Sequence, residues 1–373
     1  MNICLFTSSF LPNVGGMENV VDILAKEYIA LGHQVVVLAK TPRKMKKAPD
    51  FDYPVYYYKR SRSEVFFLGA PKKMLKQLHK QYHFDLIHAH QMYPTGYLAV
   101  KFGIKHNIPA VLTSHAGDVR KNSKYRRSWI KCRRMIWAMK QAPCVTGVGT
   151  GICETINQLT GENKAIYIGN GCVKPEKVEC TENLKSLFEK FQINGEFDLS
   201  VCRLHPSKGL NYLLNAYVIL KSKNIPFPPL LMAGNGQAEE GLRQQITEQN
   251  LSEHVYMLGN VTPVERDFLL SRCRFFMQPS IAEGMPLTVL ESLAAGVPVL
   301  GTNIPGIREL LADKVNGLVV PPADPEALAE AIASITEENY LQYKSRAAEI
   351  LEPNSWRKIA EQYLDLFEKL ING

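Results

Sequence analysis

Nothing in the 373-residue chain stays apolar for the roughly 20 consecutive residues that a membrane-spanning helix requires. The opening residues lack the basic n-region of a secretory signal and read as a first buried strand, so the expectation is a cytoplasmic protein. The eight cysteines include no C-x-x-C pair. Scattered thiols give neither a disulfide framework nor a structural zinc site, and they suit a reducing compartment. No P-loop lysine string occurs, and the Gly234-Asn235-Gly236 turn is not a G-x-G-x-x-G fingerprint, which argues against a nicotinamide enzyme. Internal repeats and low-complexity tracts are missing too. Acidic residues are absent altogether from 119 to 153.

The composition that remains is globular, 46% hydrophobic and 21% charged, at a length that implies two domains. The net charge of +8 is unevenly spread: residues 1–170 hold 25 Lys and Arg against 10 Asp and Glu, and residues 171–373 hold 19 against 26. A basic half and an acidic half should meet different partners.

Hydrophobic patterning predicts a strand over 3–8, a loop through Gly15 and Gly16, a helix over 18–31 and a strand over 35–39. That is a βαβ unit, which calls for a parallel sheet. The alternation continues with a strand at 86–90, a helix at 96–106 and a strand at 110–114. After a polar region at 161–195 it restarts, with strands at 199–202, 230–233, 255–258, 275–278 and 297–301 and helices at 210–221, 238–249 and 287–295. Two such halves imply two doubly wound, Rossmann-like α/β domains. A closing helix over 355–371 carries Ile359, Tyr363, Leu366 and Leu370 at helical spacing.

Four segments fall at strand ends, where open α/β sheets bind ligands. Gly15-Gly16 lets backbone approach a ligand and opens a helix whose free N–H groups favour an anion, although the same pair serves as a plain turn. Arg203 and Lys208 follow the strand at 199–202 and suit a diphosphate, or are merely solvated charge. Glu283 and Glu291 bracket a loop and a helix start, with Gly284, Met285, Pro286, Leu287 and Thr288 between them. Carboxylates there accept from sugar and ribose hydroxyls, and the helix N-terminus favours phosphate. His115, in Ser114-His115-Ala116-Gly117-Asp118, is either a polar contact for a ligand or a satisfied structural histidine.

Taken together, these segments resemble the retaining glycosyltransferases of the GT-B fold, glycosyltransferase family 4. The likeness spans nearly the whole chain and is strongest in the string EGMPLTVLESLAAGVPVLGTNIPGIRELL, whose Glu283 and Glu291 match the family's E-x7-E motif. It implies two Rossmann-like domains facing each other across a cleft: 1–170 for the acceptor, 171–350 for the nucleotide sugar, and a 351–373 helix crossing back to the first. By the same resemblance Glu283, His115, Arg203 and Lys208 form the catalytic set. Arg203 and Lys208 bind the donor diphosphate and Glu291 the ribose. Glu283 meets the donor sugar with help from the backbone amides of Gly284 to Leu287, and Gly16 and His115 line the cleft from the other domain. Cys202 departs from the pattern, which usually has glycine before the arginine. The implied reaction moves a hexose from a UDP- or GDP-sugar to a hydroxyl with retention, in cell-surface polysaccharide, lipopolysaccharide or glycolipid synthesis. No cofactor or metal is expected, the leaving charge being met by Arg203, Lys208 and helix dipoles.

Three other readings use the same residues. His88 and His90 share a strand face at a spacing a metal could use, without a third ligand nearby. An epimerase or phosphorylase of related fold would also bind a sugar nucleotide. A nucleic-acid-binding protein would use the basic half, but a recognised module is missing and none is expected. The basic half instead suits an anionic membrane presenting a lipid-linked acceptor, which makes the protein peripheral on the inner face. If the acid-free segment is helical, Tyr125, Trp129, Cys132, Ile136 and Met139 form an apolar stripe beside a basic one of Arg127, Lys131 and Arg134. Arg43, Lys44, Lys46, Lys47, Arg60 and Arg62 add further cations. The alternative is a stripe packed into the core with its cations solvated.

Overall fold

A computed structural model of the chain describes residues 1–13, 15–43, 45, 47–59, 68–175 and 178–373. Lys44, Lys46, Arg60 and Arg62 lie outside the described residues. The chain divides into two compact units, residues 1–171 with 356–373, and residues 172–355.

The first unit holds strands β1 (Asn2–Thr7), β2 (Gln34–Lys40), β3 (Val55–Tyr58), β4 (Leu86–His90), β5 (Ala110–Ser114), β6 (Cys144–Gly147) and β7 (Ala165–Tyr167). They form one parallel sheet in the order β3-β2-β1-β4-β5-β6-β7. Helices α1 (Gly16–Ala30), α2 (Gly69–Tyr82), α3 (Tyr97–His106), α4 (Trp129–Gln141) and α5 (Thr150–Thr160) make the crossovers. Helices cover both faces of the sheet, so β2 is nearly apolar throughout, and β4 and β5 are buried from end to end with His88, His90, Thr113 and Ser114 among them.

The second unit opens with α6 (Glu182–Lys190) and then alternates: β8 (Asp198–Val201), α7 (Leu210–Ser222), β9 (Leu230–Ala233), α8 (Glu239–Glu248), β10 (Val255–Gly259), α9 (Pro263–Arg272), β11 (Phe276–Gln278), α10 (Leu287–Ala294) and β12 (Val299–Thr302). Strand β13 (Gly317–Val320) and helices α11 (Pro325–Ala333) and α12 (Glu337–Ala347) complete it. This sheet is also parallel, in the order β10-β9-β8-β11-β12-β13. Leu213, Leu214, Tyr217, Phe275 and Met277 are fully buried in its core.

The last helix, α13 (Trp356–Asn372), belongs to the first unit. The Tyr363 ring meets His88 at a tilt with centroids 4.8 Å apart, and Phe367 meets Tyr28 at 5.8 Å.

Helix α4 corrects the stripe expected over 125–139. The helix starts at Trp129, so Tyr125 lies in the preceding loop, and the buried face is Met135, Ala138 and Met139. Trp129, expected on the apolar stripe, is 70% exposed. The basic stripe breaks as well: Arg127 precedes the helix, and Arg134 leans over the Tyr97 ring at 5.6 Å.

Candidate functional site

In each sheet the strand order reverses once, between β1 and β4 in the first unit and between β8 and β11 in the second. A crevice opens outside the C-terminal ends of the strands at such a reversal, because the two flanking loops turn away in opposite directions.

In the second unit the two flanking loops carry Lys208 and Glu283. Residues 206–208 make a single tight turn after β8, and Gly209 ends it at φ +66°. A side chain at Gly209 would place Cβ 2.0 Å from the carbonyl oxygen of Pro279, so only glycine lets the loops approach this closely. The Ile281 N–H then donates to the Ser207 carbonyl at 2.8 Å, fastening one loop to the other. Lys208 Nζ comes to lie 2.6 Å from Glu283 Oε1. The same oxygen accepts from Gln278 Nε2 at 2.8 Å and from the Ser280 hydroxyl at 2.6 Å. The Lys208 and Glu283 side chains are only 16% and 9% exposed, so water screens the pair weakly.

Arg203 is exposed at the start of that loop and forms no ion pair among the described residues. The Cys202 thiol before it is pushed up to about 11 by burial, against the pull of the Lys208 charge, so it stays protonated. The departure from the usual glycine is accommodated by regular backbone pairing, Cys202 N–H to the Ala233 carbonyl at 3.1 Å.

The loop after Glu283 is held from its other side. Gly306, at φ +86°, lies so close that a Cβ there would sit 1.9 Å from the Gly284 oxygen. Met285 and Pro286 are buried, and Pro286 is the N-terminal flank of α10. The expectation of amide donors from Gly284 through Leu287 needs one correction: Pro286 has no N–H and can only shape the turn. Helix α10 begins at Leu287 and Thr288 without a side-chain cap, leaving its first N–H groups for an anion. One turn further, Glu291 Oε1 pairs with Arg266 Nη1 at 3.0 Å while Oε2 is buried without a hydrogen-bond partner. Burial raises this carboxyl to about 7, although Arg266 pulls the other way.

In the first unit Gly15, extended at φ −177°, flanks α1, which starts at an exposed Gly16 and also lacks a side-chain cap. The Ser8 hydroxyl donates to the Gln91 side-chain oxygen, joining the loops after β1 and β4. Asp118 fixes the turn after β5, accepting from the Met92 N–H and the Ser114 hydroxyl, both at 2.6 Å. Burial still holds its carboxyl above the ordinary range. His115 Nε2 lies 3.0 Å from His90 Nδ1, and the His90 ring stands 4.3 Å from that of His88. Burial pushes His115 down to about 4 and His88 to about 3, so all three imidazoles are neutral at pH 7. His88 is occupied by the Thr113 hydroxyl at 2.7 Å, and among the described residues no three His, Cys, Asp or Glu side chains are placed to hold a metal ion.

Of the residues singled out in the sequence, Arg203, Lys208, Glu283, Gly284, Met285, Pro286, Leu287, Thr288 and Glu291 gather in the second unit, and Gly16 and His115 lie in the first. Sequence reasoning missed Gln278, Ser280 and Arg266, and singled out His90 only as a metal candidate beside His88. Gln278 and Ser280 stand beside the motif at a strand end, a usable signal; Arg266 sits in a helix 25 residues before its partner and had none.

Comparison with known proteins places these features in context. The sequence model of the family described as Glycosyl transferases group 1 matches residues 186–355, and that of Glycosyltransferase Family 4 matches residues 14–172. An alpha-monoglucosyldiacylglycerol synthase of Streptococcus pneumoniae is 26% identical over 98% of this chain and 86% of its own length. A putative teichuronic acid biosynthesis glycosyltransferase of Bacillus subtilis is 29% identical over 82% of this chain and 77% of its own. Among solved structures, Anabaena HepE in complex with UDP superposes with a TM-score of 0.80 at 20% identity, covering 99% of this chain and 100% of that one. Sucrose-phosphate synthase from Thermosynechococcus elongatus gives 0.82 at 19% identity, with full coverage of both. At those identities the structures establish a shared fold.

Proposed function

Because the chain belongs to the group 1 glycosyl transferases, with a family 4 N-terminal half and a GT-B fold, we propose that it transfers a hexose from a UDP- or GDP-sugar to a hydroxyl with retention. The observation that carries this reading is the Lys208–Glu283 pair at the strand reversal of the second unit, beside Arg203 and the uncapped start of α10. A diphosphate entering there draws Lys208 and Arg203 to its oxygens and frees Glu283 to accept from sugar hydroxyls. Negative charge gathers on the leaving diphosphate as the glycosidic bond breaks, and fixed cations and N–H groups in a weakly hydrated site stabilise it. In this reading the departing phosphate takes the acceptor proton on the same face. His115, neutral, contributes a hydrogen bond and no charge.

A lipid or glycan acceptor for cell-surface synthesis is supported by the names of the relatives, one a glycolipid synthase and one a teichuronic acid enzyme. The reaction needs no cofactor and no divalent ion in this reading. Sugar nucleotides screened by thermal shift should give one clear stabiliser, worth about 2.7 kcal/mol at 100 times its dissociation constant. Transfer from that donor should persist in excess EDTA. Loss of transfer in EDTA with rescue by manganese or magnesium would overturn the metal-independent mechanism. Stabilisation by no nucleoside diphosphate sugar would overturn the donor assignment.

Glu291 supplies a pH test. Ribose hydroxyls donate to a carboxylate and so favour its charged form, whereas burial raises the free group to about 7. Nucleotide binding therefore lowers this pKa and releases a proton. Affinity for the free nucleoside diphosphate should rise from pH 6 to pH 8 in a way that Glu291→Gln removes, as read by calorimetry in buffers of different ionisation enthalpy. The same pH profile in both proteins would separate Glu291 from the ribose.

A further inference from the structure

The start of α4 carries the most exposed neighbouring pair of large apolar side chains among the described residues of the first unit. Trp129 and Ile130 stand side by side there, 70% and 54% exposed, while the helix buries its other face on Met135, Ala138 and Met139. The Arg133 guanidinium lies 4.7 Å over the Trp129 ring, which keeps a cation against the aromatic face. Arg127 is exposed just before the helix, and Arg126 fastens the loop by donating to the Val119 carbonyl at 3.2 Å. Helix α4 follows β5 in a parallel sheet, so this tip lies at the C-terminal edge of the strands, the same edge as the His115 turn. The loops after β2 and β3 add exposed Arg43, Lys47 and Lys59 at that edge.

We infer that the tip of α4 is a membrane-docking wedge, in which Trp129 and Ile130 enter the headgroup region of an anionic lipid surface while Arg127 and Arg133 hold the lipid charge. Charge complementarity alone would equally suit a soluble polyanion. The bare Trp–Ile pair decides against one, because an indole with a cation at its face and an adjacent aliphatic side chain match the amphipathic interface of a bilayer. Docking there brings a lipid-borne acceptor to the edge that carries His115. The surface stands whether or not the transfer reaction is the one proposed.

The test is sedimentation of the full chain with vesicles of phosphatidylcholine and graded phosphatidylglycerol. Recovery should rise with the anionic fraction and fall with salt. Each cation contributes about a fivefold gain in partitioning, so Arg127→Glu with Arg133→Glu should weaken it by at least roughly 25-fold. Bromine-labelled lipids should quench part of the tryptophan emission, and Trp129→Phe should abolish that quenching. All three substitutions lie at exposed positions of the first unit, so the melting temperature should be unchanged and serves as the folding control. Equal recovery with neutral and anionic vesicles would overturn the inference. So would unquenched emission from bound protein, competition by a soluble polyanion without vesicle binding, or a solution dimer that Trp129→Ala dissolves.

Discussion

Arg203→Ala and Lys208→Ala should each lower kcat roughly 100- to 1,000-fold at saturating donor, the scale on which a single electrostatic donor to a transition state is felt. The two should differ in cause. Arg203 is exposed and unpaired among the described residues, so its loss removes a cation from the leaving group and little else. Lys208 is also the partner of Glu283, and without it a carboxylate that is 9% exposed keeps only Gln278 and Ser280 as donors. Stranding a weakly hydrated charge costs stability, so Lys208→Ala should lower the melting temperature where Arg203→Ala does not. Glu283→Gln should damage turnover while leaving nucleotide binding largely intact. Near-normal turnover in both alanine variants would remove the diphosphate assignment.

Gly209→Ala should be among the most damaging single methyls in the second unit. The residue sits at φ +66°, which costs an L side chain about 1–2 kcal/mol, and its Cβ would meet the Pro279 carbonyl at 2.0 Å. Overpacking against backbone adds about 1–3 kcal/mol, so a loss of about 3 kcal/mol is expected in chemical denaturation. Turnover should fall with it, because the same contact sets the Lys208–Glu283 distance. Gly241→Ala provides the opposite sign: that glycine lies inside α8 with open space around it, and alanine there should gain up to about 1 kcal/mol. A neutral Gly209→Ala would show that the two loops are not locked together as described.

What could be read from the sequence follows from how each element is stabilised. Strand β9 is fully buried and apolar throughout, β4 and β5 are equally buried yet carry His88, His90, Thr113 and Ser114, and α1 shows its period because one face is buried. Strand β3 was invisible for the same reason in reverse. It is a half-buried edge strand whose Tyr56, Tyr57 and Tyr58 are held by separate side-chain contacts, so apolar and polar positions do not alternate. Helix α4 misled because Trp129 and Ile130 at its start are left exposed, so apolar residues there mark a surface. At the candidate site, loops after strands were legible as glycine and charge clusters. Pairings such as His90 with His115 were not, since they arise only when β4 and β5 lie side by side.

Helix α13 gives the chain a timing problem during synthesis. The first segment of its unit ends at Gly171, yet the helix that covers Tyr28 and His88 starts at Trp356. A ribosome adding about 5–20 residues per second needs roughly 10–40 seconds to bridge that interval. Throughout it the early sheet waits with aromatic rings bare, a natural client for a holdase. A premature stop anywhere between Gly171 and Trp356 would therefore wound the N-terminal sheet, although every one of its strands had already been translated.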